Sequence, residues 1–418
     1  MLPLLIISSY PAKGYTHGKG TVGIASYAKN TLLGIKSAAK KEANDLEITV
    51  LAEKLGDTPS QYIENNINVN RSWKRNSIFS YINLMWETVK RPSYNTVLFE
   101  FELAMFGGAL SLIPLPFFLL ILKILGKKVF LVSHQVVVDI NSMANHVGIK
   151  PKGFKTKILN YFIGLFYRLT LATAFKVIVF EEYLKNELGR FGDKDKILVI
   201  PHGVEEFKSK ITYTQARKQL GIRNEFAILY FGFIAWYKGT DWIVEEVLKN
   251  KGKNIKLIIA GGANPNHADK KFYLDYIKSI QDKAKNSNGK IEVTGFVNEA
   301  DISKYFIVSD IVALPYRTFM SSSGPLSIAL SFNKPFIVSD KLEGIFQNQD
   351  MKLALKSARL KKEDFIFNFS DKGFIKDLLQ KYTKSIKRIQ IFADEIKTQR
   401  SFEKIGRIYL ENIYEKGN

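Results

Sequence analysis

Short runs rich in Val, Ile, Leu and Phe recur along the chain with little polar alternation, and they limit the fold more than any other feature. They fall at residues 4–8, 48–51, 96–101, 129–133, 177–180 and 197–200. A second series follows at 227–231, 256–260, 291–294, 310–314 and 335–339. Strands this apolar must be covered on both faces, as in parallel sheets. The segments between them have helical spacing, for example Ile24, Tyr27, Ala28, Thr31 and Leu32. Strand, helix, strand in repetition predicts an α/β protein with doubly wound parallel sheets. The two series part near Pro201-His202-Gly203, so two Rossmann-like domains facing a central cleft are expected, at 1–204 and 205–385. Residues 386–418 are amphipathic and are expected to pack back toward the first domain. A chain of 418 residues suits this division.

In open α/β sheets ligands bind beyond the carboxyl ends of the strands, so the loops after the strands should carry the chemistry. The chain has no cysteine, which removes disulfides, thiolate nucleophiles and Cys-ligated zinc. Its five histidines lack paired-ligand spacing, and no metal site is expected. The first residues are too short and uncharged for a signal peptide and predict a buried strand. The formal charge of +21 points to an anionic partner: nucleic acid, acidic lipid or a phosphorylated substrate. Nucleic acid is set aside because no recognition motif of the helix-turn-helix, zinc-finger or RNP kind is present.

Three loops could receive an anion. The first, ahead of a helical run, holds Gly14, Gly18, Gly20, Thr21 and Gly23, and lets backbone N–H groups approach a phosphate; it is neither a GxGxxG fingerprint nor a P-loop. A mobile surface loop is the plain alternative. The second runs from Gly232 to Lys238-Gly239 before a helix, where a lysine would be a counter-charge for a diphosphate, or an ordinary surface lysine. The third, Ser321-Ser322-Ser323-Gly324-Pro325-Leu326, starts an apolar helix, with Pro325 suited to the first turn. A simple helix cap would need the same residues.

The order of these segments resembles the GT-B nucleotide-sugar glycosyltransferases, and among them the large retaining family 4, the group 1 glycosyltransferases. The matching pieces are Val22-Gly23-Ile24 with Tyr27, His134, Pro201-His202-Gly203, Gly232, Lys238-Gly239, Gly295-Phe296-Val297, Pro315-Tyr316-Arg317, Ser323-Gly324-Pro325-Leu326 and Pro335 to Asp340. They cover nearly the whole chain in order. The resemblance implies a nucleotide diphosphate-sugar as co-substrate with no metal or other cofactor. Lys238, Gly232, Gly295, Phe296, Arg317, Ser322, Ser323, Gly324, Pro325, Leu326 and Glu343 would hold the donor, with Glu343 on its ribose. His134, beside the transferred sugar, and Lys238, offsetting the developing diphosphate charge, would be catalytic, and Gly18, Gly20, Thr21 and Gly23 would face the acceptor.

Members often carry two glutamates around the serine-glycine helix, and the aligned positions here are Met320 and Ile328. Arg317 is expected to compensate. A catalytically silent subunit, or a GT-B epimerase or phosphorylase, remains the alternative. Residues 103–122 carry no charge, a length that could span a bilayer. Their place between two strands of one sheet and their Gly107, Gly108, Pro114 and Pro116 predict crossover helices or an interfacial patch instead. Residues 121–176 follow with nine Lys or Arg and one acid, Asp139. Basic side chains flanking an apolar face predict docking on an anionic membrane, a lipid-linked or membrane-proximal glycan acceptor, and a cytoplasmic protein peripheral on the inner face of the membrane.

Overall fold

A computed structural model describes all residues except 1, 17–22, 44, 57, 104, 144–147, 208, 251–253, 265–269, 372 and 415–418. The first half holds β1 (Leu2–Ile7), α1 (Ile24–Lys41), β2 (Leu46–Glu53), β3 (Gln61–Glu64), β4 (Ile67–Trp73), α2 (Ser80–Val89), β5 (Thr96–Phe101) and α3 (Leu115–Ile124). It continues with β6 (Lys128–Ser133), α4 (Phe154–Thr173), β7 (Lys176–Val179), α5 (Glu182–Leu188) and β8 (Ile197–Val199). The eight strands form one sheet in the order β3-β4-β2-β1-β5-β6-β7-β8, parallel except for β3. Burial in β1 explains why this segment is a central strand. Leu5 and Ile7 enter a core shared with α2, α3, α4 and α5, while Leu4 and Ile6 enter the opposite core with α1. Successive side chains point to opposite faces, and each fully buried Leu or Ile is worth about 1.5–3 kcal/mol.

The β3–β4 hairpin is absent from the sequence expectation. Its turn residues Asn65 and Asn66 both have positive φ, 51° and 56°, as a two-residue hairpin turn requires. The inward positions of β4 are Ile67, Val69, Arg71 and Trp73. A buried arginine breaks the apolar pattern that would have announced the strand. Arg71 donates to the carbonyls of Tyr10, Glu53 and Pro11, and so fixes the chain leaving β1.

The second half holds α6 (Tyr213–Gln219), β9 (Phe226–Phe231), α7 (Thr240–Lys249), β10 (Ile255–Ala260), α8 (Lys271–Lys285), β11 (Ile291–Val293), α9 (Glu299–Val308) and β12 (Ile311–Leu314). After these come α10 (Gly324–Ser331), β13 (Phe336–Ser339), α11 (Gln349–Ser357), β14 (Ile366–Phe367), α12 (Phe374–Gln399) and α13 (Phe402–Ile413). The second sheet is wholly parallel, in the order β11-β10-β9-β12-β13-β14. Strand order reverses direction between β1 and β5 in one sheet and between β9 and β12 in the other. Crevices at such switch points are where open α/β sheets take ligands.

The C-terminal helices divide differently from expectation. Ile389, Phe392, Ala393 and Ile396 of α12 belong to the second-domain core, because its apolar stripe faces α10 and α11. The chain crosses back only at Arg400, whose carbonyl accepts from the Val204 amide at 2.7 Å. Thereafter α13 packs on α1. Gly34 and Gly406 meet there so closely that a Cβ on either would overlap the other helix's backbone.

Candidate active site

The loop after β9 is a tight turn, Trp236–Lys238, closed by Gly239 at φ 69°. A side chain at Gly239 would be strained by that φ and would also collide with the Pro315 carbonyl. This close approach joins the loop after β9 to the loop after β12, and the Arg317 amide donates to the Tyr237 carbonyl at 2.7 Å. The Arg317 guanidinium forks onto Asp241 at 2.7 and 2.8 Å and donates to the Trp236 carbonyl at 2.6 Å. Three of its five donors therefore brace the Lys238 turn. This differs from the expectation that Arg317 compensates for the glutamate replaced by Met320.

Lys238 is held otherwise. Its Nζ lies 3.1 Å from where a Cβ on Gly232 would sit, and the Pro325 ring touches the same point at 3.7 Å. It stands 5.8 Å from the centre of the Tyr316 ring. Among the described residues no carboxylate pairs with it, and burial pushes its ammonium down to about 8. A desolvated cation without a counter-ion costs free energy, and an anion arriving beside it would offset that cost. Pro325 lies at the start of α10, whose cap Ser323 accepts from the Leu326 amide at 3.3 Å. Gly324 and Pro325 form its first turn, so Lys238 and a helix N-terminus converge at the β9/β12 switch point.

Across the cleft, β6 ends in Ser133 and His134, whose amide donates to the Phe101 carbonyl. The imidazole Nε2 is 2.7 Å from Glu100 Oε2, and Glu100 is buried at the end of β5. Tyr27 and Phe180 pack edge-on against the ring, both with centroids at 4.9 Å. These contacts leave His134 little freedom to turn. Its loop touches the serine loop directly, since the Val136 amide donates to the Met320 carbonyl at 2.6 Å. Met320 packs with Val137 and Met143, a small apolar bridge between the domains, and Ile328 packs on the second-domain core. Both aligned glutamate positions are thus occupied by apolar contacts.

A second bridge carries charge. Ser322 donates to Glu181 Oε1 at 2.9 Å, and Glu181 lies at the carboxyl end of β7. Arg400 Nη1 stands 4.0 Å from the same oxygen, while Arg400 binds Asp350 at 2.6 and 3.1 Å. Burial raises the Glu181 carboxyl to about 7 despite Arg400, which acts to lower it. An acid with a raised folded value holds its proton between pH ~4.5 and ~7, where the unfolded chain has lost it, so stability falls as pH rises through that window. Glu181→Gln removes the titration. It is expected to unfold at about the same denaturant concentration as the parent at pH 5 and to gain on the order of 2 kcal/mol at pH 8. Equal differences at both pH values, measured by urea titration, would show that Glu181 does not titrate in that range.

The other predicted residues lie on the same edge or outside it. Gly295 and Phe296 follow β11, two strands from Gly232, with the Phe296 ring exposed. Glu343 is exposed in the turn after β13, 3.6 Å from Lys362. Gly23 immediately precedes α1. Gly18, Gly20 and Thr21 lie outside the described residues. Among the described residues no group of three or more His, Asp or Glu is placed to hold a metal ion. Sequence reasoning missed Glu100, Glu181 and Arg400. A carboxylate inside or just after a fully apolar strand was the available signal for the first two.

Residues 225–360 match the family model described as glycosyl transferases group 1. These residues form a group 1 glycosyltransferase domain. No curated protein matches the chain. Solved structures share the architecture at low identity. Sucrose-phosphate synthase from Thermosynechococcus elongatus is 14% identical with a TM-score of 0.72, covering 100% of this chain and 99% of that one. HepE from Anabaena in complex with UDP-glucose is 15% identical with a TM-score of 0.64, covering 99% of each chain. WaaG, a glycosyltransferase involved in lipopolysaccharide biosynthesis, is 11% identical with a TM-score of 0.60, covering 100% of each. The matched segment holds Lys238, the serine loop and α10.

Proposed function

We propose that the protein transfers a sugar from a nucleoside diphosphate-sugar to a hydroxyl of a glycan acceptor bound by the first domain, with retention at the anomeric carbon. The observation that carries this reading is Lys238, a buried cation without a carboxylate partner among the described residues, beside the first turn of α10. In such a transfer the anomeric C–O bond breaks, its electron pair leaves on the diphosphate, and the acceptor oxygen forms the new bond as its proton is lost. The ammonium of Lys238 and the amides at the start of α10 would meet the developing diphosphate charge. His134, fixed by Glu100, would stand beside the sugar. The UDP-glucose bound to HepE supports a uridine nucleotide as the first donor to try. Retention rests on the family resemblance.

Thermal unfolding against UDP-, GDP- and ADP-sugars tests the reading. A donor at about 100 times its dissociation constant adds about 2.7 kcal/mol, and a shift selective for one base is expected. No shift with any of them, in a folded sample, would support the silent-subunit alternative.

A further inference from the structure

We propose that the outer face of α2, α3 and α4 docks the protein on an anionic lipid bilayer. The three helices contribute to one core beneath them, and yet each carries a second apolar stripe turned to solvent. On α2 the stripe is Ile82, Trp86 and Val89; on α3 it is Phe117, Leu120, Ile121 and Ile124; on α4 it includes Phe154, Ile158, Tyr161 and Phe162. Trp86, Phe117 and Phe162 are 61%, 60% and 58% exposed. These positions recur at helical spacing, so each stripe runs along its helix.

The stripes form one surface. The Tyr81 hydroxyl donates to the Ser111 carbonyl at 2.9 Å, tying α2 to the segment before α3. Lys123 donates to the Ala172 carbonyl at 3.1 Å, tying the end of α3 to the end of α4. A contiguous exposed apolar face of this extent marks an interaction site. Among the described residues no helix is long and apolar enough to cross a membrane. Helices apolar outward and too short to span lie in the interfacial plane of a bilayer.

Charge selects the occupant. Lys123, Lys128, Lys155, Lys157 and Arg168 are exposed around the stripes. The acids nearby are engaged: Glu87 with Arg91 and Lys90, and Asp139 with Asn141 and Asn160. A second copy of the chain would bring this basic surface against its own like charge, whereas anionic head groups complement it. Each helix follows a strand and so begins at the strand's carboxyl end, which brings the N-terminal end of the face to the cleft side of the sheet. An acceptor anchored in the same bilayer would reach that side, a consequence that rests on the glycosyl-transfer reading; the docking itself does not.

Co-sedimentation of the full chain with vesicles tests the docking without any nucleotide. With vesicles of phosphatidylglycerol and phosphatidylcholine in equal parts, low-salt binding is expected, and it should drop sharply in about 0.5 M salt and with phosphatidylcholine alone. The triple variant Trp86→Ser, Phe117→Ser, Phe162→Ser is expected to bind about tenfold or more weakly with its donor-free melting temperature unchanged. The pair Lys155→Gln, Lys157→Gln keeps the test available if the triple variant does not fold, and a clear loss is expected there too. The docking is overturned if the parent stays in the supernatant, if the triple variant binds like the parent, or if phosphatidylcholine alone binds equally well. It is also overturned if the parent is a dimer in solution that the triple variant dissociates.

Discussion

Replacing Lys238 by methionine is expected to give a protein that is more stable and nearly inactive. In the free protein the ammonium is desolvated, with no carboxylate partner among the described residues, and burial has lowered it to about 8. A base with a depressed folded value costs stability wherever the unfolded chain binds the proton more readily, so the cost grows as pH falls from ~10.5 and is fully present below about 8. Methionine keeps the length and removes the charge. At pH 7 the gain should be of the order of 3 kcal/mol by urea titration, and it should fade as pH rises past ~10.5. Turnover with the identified donor should fall by about 10²–10³, the usual effect of losing one preorganised group that meets transition-state charge. A variant that is destabilised, or that turns over normally, would remove Lys238 from the anion site.

Arg400→Met should have the largest effect on stability of any single change at the domain junction. Arg400 is buried where α12 ends and the chain crosses back, and its guanidinium satisfies Asp350 while facing Glu181. Methionine leaves two carboxyl groups without their cation, and breaking a buried pair this way costs about 3–5 kcal/mol. Glu181 will respond by keeping its proton to higher pH, which softens the loss. Because Glu181 belongs to one domain and Asp350 to the other, unfolding should also lose cooperativity. The check is urea unfolding followed by both tryptophan fluorescence and far-ultraviolet dichroism. Coincident transitions with a loss below about 1 kcal/mol would show that the junction is held by its apolar contacts instead.

Much of the fold was legible because the decisive signals are local. Leu4 to Ile7 must be covered on both faces whatever surrounds them, and that requirement, repeated, defines two parallel sheets. Lys238 and Ser323-Gly324-Pro325 could be placed at strand ends for the same reason. The β3–β4 hairpin was not legible, since Arg71 occupies an inward position that the carbonyls of Tyr10, Glu53 and Pro11 and the Tyr62 hydroxyl justify. The uncharged stretch of residues 103–122 could be read two ways, and both hold in part. Leu115, Phe118, Leu119 and Leu122 of α3 are in the core, while Phe117, Leu120, Ile121 and Ile124 face solvent.

By itself the sequence determined most of the elements, their order, and which polar groups arrive at the carboxyl edges of the sheets, because periodicity and strand burial act over a few residues. Only the tertiary structure decided what each charge does. Arg317 is paired with Asp241, Lys238 has no carboxylate partner among the described residues, His134 is locked by Glu100, and Glu181 is set between Ser322 and Arg400. Pairing and desolvation depend on distances between residues 34 to 219 positions apart in the chain, and no local pattern encodes those distances.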